Sequence, residues 1–123
     1  MDSLANLFSA IRNGYSVQKS KIIQPNSKQS RNVLNIFIKQ GWINSYKITV
    51  DDRLEIYLKY KNNKSVIKEI KRLSKPGRRI YIKNRDLFRK KTGFYIISTS
   101  KGILIDLQAK QFNLGGELIC QIF

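Results

Sequence analysis

The chain has 123 residues, 41% of them hydrophobic and 11% aromatic, enough to bury a core in one compact unit or two small lobes. Its 24 Lys and Arg face 8 Asp and Glu, and the resulting field of +16 repels itself in a folded chain unless a polyanion neutralises it. Histidine is absent and Cys120 is the one cysteine, so an internal disulfide, a histidine-based zinc site and Ser-His-Asp chemistry are excluded.

The N-terminal stretch reads as a domain helix, not as a signal or transit peptide. Leu4, Leu7, Phe8 and Ile11 recur at helical spacing, Asp2 or Ser3 can cap the start, and Gly14 suits the end. A short strand around Ile22 and Ile23 stops at Pro25. Ser27 then caps a second helix carrying Val33, Leu34, Phe37 and Ile38, closed by Gly41. Ile43 to Val50 and Arg53 to Tyr60 read as a hairpin turning at Asp51-Asp52, with Leu54, Ile56, Leu58 and Tyr60 on its inner face. The polar break Lys61-Asn62-Asn63-Lys64 suggests a boundary between an N-terminal α/β lobe, residues 1–64, and a β-rich lobe, residues 65–123. Beyond it come a segment from Val66 to Leu73, a turn at Pro76-Gly77, and strands around Arg79 to Lys83, Phe94 to Ser98 and Glu117 to Phe123. A short helix from Asp106 to Phe112, with Asp106 as its cap, interrupts them. Helices early and strands late predict an α+β protein.

The charge is concentrated. Between Lys59 and Lys91, fourteen Lys and Arg face only Glu69 and Asp86, which accounts for +12 of the +16. A balanced surface would keep the chain soluble equally well, so this excess points to a polyanionic partner. Tyr60, Tyr81, Phe88 and Tyr95 are interleaved with the cations. Lys and Arg meet phosphates and aromatic rings stack on unpaired bases, the combination suited to RNA. Any one of these tyrosines is more simply a packing residue, except Tyr81, which is flanked by Arg78, Arg79 and Lys83. Lys71, Arg72 and Arg79 are candidate phosphate contacts. A membrane surface would call for a basic helix with an apolar face, and no apolar run approaches the ~20 residues of a bilayer span. Major-groove DNA recognition would call for a charged helix, and the second helix, with Lys28, Arg31 and Lys39, is sparsely charged.

Ser98-Thr99-Ser100-Lys101-Gly102 lies between two apolar strands. Hydroxyls donate and accept, and can meet base edges, ribose hydroxyls and phosphate oxygens. The same five residues would also serve as an ordinary polar turn. They lack the order of a phosphate-binding P-loop. Leu114-Gly115-Gly116-Glu117 introduces the last strand, on which Cys120 reads as a buried thiol. Asp106 and Glu117 match no metal or acid–base spacing, so neither catalysis nor a cofactor is expected.

Four stretches together resemble a known family: Arg12-Asn13-Gly14, Ser74-Lys75-Pro76-Gly77-Arg78-Arg79-Ile80-Tyr81, Ile97-Ser98-Thr99-Ser100-Lys101-Gly102, and Leu114-Gly115-Gly116-Glu117-Leu118-Ile119-Cys120. In this order, and over nearly the whole chain, they are similar to the universal small-subunit ribosomal protein number eight. The resemblance implies a two-lobed, non-enzymatic α+β protein that binds small-subunit ribosomal RNA and helps assemble the central domain, beside other ribosomal proteins. It implies RNA contacts at Ser98, Thr99, Ser100, Lys101, Gly102, Gly116 and Glu117, with Tyr81 nearby, and phosphate contacts near Ser27 and Lys28. The chain departs from the family pattern after Gly102, where Leu107 and Lys110 stand in place of two arginines of the short helix. A composition rich in Ile, Lys and Asn suggests an AT-rich genome, a mitochondrial one first and a bacterial one second. An RNA-binding regulator acting outside the ribosome is the alternative reading.

Overall fold

The computed structural model describes residues 3–89 and 92–123, and the backbone divides into two compact units, 1–68 and 69–123. The expected cap at Asp2, and Lys90 and Lys91 of the basic run, lie outside the described residues. The α+β class expected from the sequence is the class observed.

The first unit contains α1 (Ser3–Ser16), β1 (Lys21–Pro25), α2 (Lys28–Gln40), β2 (Ile43–Ile48), β3 (Arg53–Leu58) and a small hairpin of β4 (Tyr60–Lys61) with β5 (Lys64–Ser65). An antiparallel sheet in the order β1-β3-β2 packs against both helices. Leu4, Leu7, Phe8 and Ile11 of α1 are buried with Val33, Leu34 and Phe37 of α2, and the Phe8 and Phe37 rings stack with centroids 6.5 Å apart. Alternation on β3 works as expected as far as Leu58: Leu54, Ile56 and Leu58 face the core while Arg53, Glu55 and Tyr57 face outward, but the strand ends there and Tyr60, expected on the inner face, belongs to β4 and is half-buried. Each fully buried aliphatic side chain of this kind contributes roughly 1.5–3 kcal/mol of transfer free energy.

Local chemistry sets the ends of α2. The Ser27 hydroxyl accepts the Ser30 N–H at 3.1 Å, and Gly41, at φ 81°, closes the helix in the left-handed region. Trp42 N–H then reaches back to the Phe37 carbonyl at 2.8 Å, the bond that completes such a cap. Gly14 is a correction. The helix continues past it to Ser16, and a Cβ at Gly14 would lie 2.8 Å from Leu58 Cδ1 and 2.9 Å from Ile22 Cγ2. It is glycine so that helix and sheet can approach. The break at Asn62-Asn63 is a tight hairpin turn, both residues having positive φ, 54° and 62°, as a two-residue turn of that hand requires.

The second unit contains β6 (Ile70–Arg72), β7 (Tyr81–Ile82), a 3-10 turn (Asn84–Asp86), β8 (Phe94–Thr99), β9 (Gly102–Ile105), α3 (Asp106–Gln111) and β10 (Gly116–Ile122). Its antiparallel sheet runs β6-β10-β8-β9, and β7 also pairs with β10. Strand β10 is therefore the organiser: β8 lies along one edge, while β6 and β7 pair with opposite ends of the other. Leu87, Ile97, Ala109 and Leu118 form a core that Leu73, Ile80, Ile82 and Tyr95 cover. A register shift between Leu118 and Cys120 breaks simple alternation, so Ile119 is buried as well as its two neighbours. Burial pushes the Cys120 thiol well above its ordinary range, so it behaves as a core hydrophobe.

Asp106 sits one step inside the cap position expected for it. Ile105 is the flanking residue, and Asp106 is the first residue of α3 and fully buried. Its Oδ1 accepts the Leu107 N–H at 2.7 Å and its Oδ2 accepts the Tyr95 N–H at 3.1 Å. One carboxylate thus satisfies a helix donor and a strand donor together, which ties α3 to β8.

Candidate nucleic-acid interface

The sheet of the second unit brings three separated stretches of sequence into one row. Across β10, Glu117 is registered with Tyr81 on one side and Ser98 on the other. Tyr81, Glu117, Ser98 and the turn after Ser98 therefore share one end of the sheet. Tyr81 is 69% exposed, the feature that separates it from the other tyrosines of the basic stretch. Tyr60 packs edge-on against Tyr15 and donates its hydroxyl to the Lys19 carbonyl at 2.6 Å, while Tyr95 covers the core.

The turn from Ser98 to Gly102 is rigid for local reasons. The Thr99 hydroxyl donates to the Gly102 carbonyl at 2.8 Å and accepts the Lys101 N–H at 3.1 Å. Gly102 has φ 100°, a conformation that strains any residue with a Cβ. Thr99 therefore spends its hydroxyl on the turn. Ser100 sits at the exposed tip, and its hydroxyl has no partner among the described residues. Lys101 lies over the Phe112 ring, its Nζ 4.5 Å from the centroid. Three adjacent hydroxyl groups that look equivalent in sequence thus divide into a strand residue, a brace and a presented group.

Gly115 and Gly116 are needed by the protein itself. A Cβ on Gly115 would lie 2.5 Å from the Ile82 carbonyl oxygen, and one on Gly116 would collide with the Ser98 carbonyl oxygen. Gly116 thus lets β10 approach β8. Glu117 is also committed: Arg79 Nη1 donates to its Oε2 at 2.9 Å, with the carboxylate 19% exposed and the guanidinium 53%. A pair open to this degree contributes under about 1 kcal/mol to stability once water screens it. Its effect is geometric, because it fixes where the carboxylate points.

The basic loop between β6 and β7 has one staple. Ser74 is buried, and its hydroxyl donates to the Ile80 carbonyl at 3.0 Å while accepting the Ile80 N–H at 2.8 Å. Above it, Lys75 and Arg78 exchange two backbone hydrogen bonds of 2.9 Å, closing a tight turn through Pro76-Gly77. Lys75, Arg78 and Arg79 are exposed around this prong. Arg72 is different. It is half-buried beside Cys120, and its Nε donates to the Ser74 carbonyl at 2.6 Å, so it serves the loop base. Lys71, on the same strand, is exposed. Sequence reasoning missed Ser74, although a lone serine before Lys-Pro-Gly is a recognisable loop-closing signal.

Ser27 and Lys28 belong to the first unit. Ser27 caps α2, and Lys28 is exposed at its first turn. Among the described residues no group of three or more His, Cys, Asp or Glu side chains could hold a metal, and no helix is long and apolar enough to cross a membrane.

The family model for ribosomal protein S8 matches residues 2–123. The small ribosomal subunit protein uS8 of Rhodospirillum centenum is 43% identical over 129 residues, covering 99% of this chain and 97% of the relative. That of Blochmanniella pennsylvanica is 40% identical over 126 residues, covering 98% and 96%. The uS8m protein of Acanthamoeba castellanii is 40% identical over 126 residues, covering 99% of each. With the α+β fold and Ser98 registered against Glu117, these matches place the chain in the ribosomal protein S8 family, a family of small-subunit ribosomal components and not of enzymes.

Proposed function

We propose that this protein binds small-subunit ribosomal RNA directly and helps assemble the central domain of the small subunit, with the second unit carrying recognition. The observation that supports this best is the row Tyr81–Glu117–Ser98 beside the Ser100 tip: an exposed ring, an oriented carboxylate and a presented hydroxyl, held on paired strands. A ring offers a stacking face to an unpaired base. A carboxylate accepts from base amino groups and ribose hydroxyls, and a hydroxyl meets either partner. Lys71, Lys75 and Arg78 supply charge for phosphates around it, and Lys28 adds a phosphate contact from the first unit. The two units then act as separate modules of one binder. The test is assembly: particles formed without the protein should lack an ordered central domain and regain it on adding the chain back. Complete subunits forming in its absence would contradict the proposal.

The Ile-, Lys- and Asn-rich composition supports a mitochondrial ribosome as the site of action. The similar protein of Acanthamoeba castellanii is a mitochondrial form, whereas other similar proteins are bacterial.

Charge and recognition should separate in solution. Replacing Lys71, Lys75 and Arg78 together by glutamine should weaken cognate and scrambled RNA alike. Each lost phosphate contact should also flatten the slope of log affinity against log salt by about 0.7–0.9. Arg72 and Arg79 are left out of that variant because the Ser74 carbonyl and Glu117 hold them. Filter binding at several salt concentrations checks this. An unchanged slope would make the basic loop a solubility feature.

A further inference from the structure

We propose that Ser74 is a positioning residue for RNA recognition: its buried hydroxyl sets the direction of Arg79 and Tyr81 at the candidate interface. The inference rests on the RNA-binding reading of the second unit and adds a residue that RNA does not touch.

Ser74 precedes a run of exposed residues, 75–79, yet is itself 1% exposed. Every polar atom it has is engaged. Its N–H donates to the Leu118 carbonyl at 3.0 Å, and its carbonyl accepts Arg72 Nε at 2.6 Å. Its hydroxyl donates to the Ile80 carbonyl at 3.0 Å and accepts the Ile80 N–H at 2.8 Å, which one proton and two lone pairs allow at once. The Leu118 N–H donates to the same Ile80 carbonyl at 2.8 Å. The two arms of the loop thus converge on one residue of β10, the neighbour of Glu117, and the Ser74 hydroxyl ties one arm to the other.

Ile80 lies between two residues of the interface. Before it, Arg79 holds the Glu117 carboxylate at 2.9 Å; after it, Tyr81 is registered with Glu117 and stands 69% exposed. Strand β7 is shorter than an ordinary strand, at two residues, so Ile80 takes its place from Ser74 and Leu118. Removing the hydroxyl takes the acceptor from the Ile80 N–H and releases the segment that carries Arg79 and Tyr81. Lys75 and Arg78 remain closed into a turn by their own two backbone bonds, so the charge of the prong is kept. Recognition groups hold their geometry only where the residues beneath them are locked. The loss should therefore fall on cognate RNA and spare the salt-dependent attraction common to all RNAs.

The full chain should be titrated by filter binding with a small-subunit central-domain RNA fragment and with a scrambled hairpin, each variant first checked for folding by circular dichroism. Ser74→Ala and Ser74→Val remove the hydroxyl, while Ser74→Thr keeps it and matches valine in shape. The first two should bind the cognate fragment about ten-fold more weakly, the loss of one oriented polar contact, with scrambled-RNA affinity and salt slope unchanged. Ser74→Thr should bind like wild type. A hydroxyl that only supports the fold would lower the urea midpoint of Ser74→Ala and leave the affinities of the folded protein alone, which would overturn the proposal. Equal losses on both RNAs, or a threonine variant as weak as the valine one, would overturn it too, as would alanine and valine variants that both fail to fold. Wild type that does not prefer the cognate fragment would contradict the RNA-binding reading itself, whereas a preference kept by every variant would strike Ser74 alone.

Discussion

Gly116→Ala should unfold or badly loosen the second unit, with a loss of roughly 3 kcal/mol or more. The added methyl collides with the carbonyl oxygen of Ser98 on the paired strand β8. Neither atom belongs to a flexible side chain, so relief requires the two strands to separate. Because β10 pairs with β6, β7 and β8, the disturbance reaches most of the sheet. Two other glycines serve as controls. Gly102→Ala meets open space but is forced to φ 100°, so it should cost about 1–3 kcal/mol through backbone strain alone. Gly77→Ala meets nothing within 4 Å and lies outside the left-handed region, so it should change stability by under about 1 kcal/mol, in the stabilising direction. Urea unfolding followed by circular dichroism ranks the three. Gly116→Ala no worse than Gly77→Ala would mean that the close approach of β10 to β8 is not what the protein requires.

The largest effect on recognition should come from Ser100 and Glu117. Ser100→Ala and Glu117→Ala should each weaken cognate RNA by about 1–3 kcal/mol, the range for a well-formed polar contact to a base, and leave a scrambled hairpin nearly unaffected. The sign for Glu117 is diagnostic. Simple electrostatics says that removing a carboxylate from an RNA-facing surface should tighten binding to every RNA. A loss confined to cognate RNA therefore identifies a specific acceptor. The Arg79 pair adds a second condition: because Arg79 holds the carboxylate, Arg79→Ala and Glu117→Ala should be clearly less than additive on cognate RNA. Tighter binding of all RNAs by Glu117→Gln would show that the carboxylate is only a repulsive rim charge.

Features encoded by neighbouring residues were legible in the sequence. The caps of α2 follow from Ser27 and Gly41, since a hydroxyl before a helix and a glycine after it do the same work wherever they occur. The apolar faces of α1 and β3 follow from spacing alone. Gly14 was misread because a packing glycine and a capping glycine are the same letter. What separates them is Leu58, brought alongside only by the fold. The expected strand from Arg79 to Lys83 shrinks to Tyr81–Ile82, because the turn through Pro76-Gly77 and the Ser74 staple occupy the residues before it. The composition of the candidate site was legible as hydroxyls, glycines and cations. Its division of labour was not: the Arg79–Glu117 pair spans 38 residues, and the roles of Thr99 and Ser100 differ only through the hydrogen bonds of the folded turn.

The proposed function depends on recognition by the second unit, along the Tyr81–Glu117–Ser98 row and its turn. Isotope-labelled protein titrated with a small-subunit central-domain RNA fragment, followed by amide chemical shifts, tests it most directly. The largest shifts are expected at Tyr81, Ser98 to Gly102 and Gly116-Glu117, with smaller ones at Lys71, Lys75 and Arg78, and none along β2. Shifts scattered over lysines of both units, with the Ser98–Gly102 turn unmoved, would contradict it.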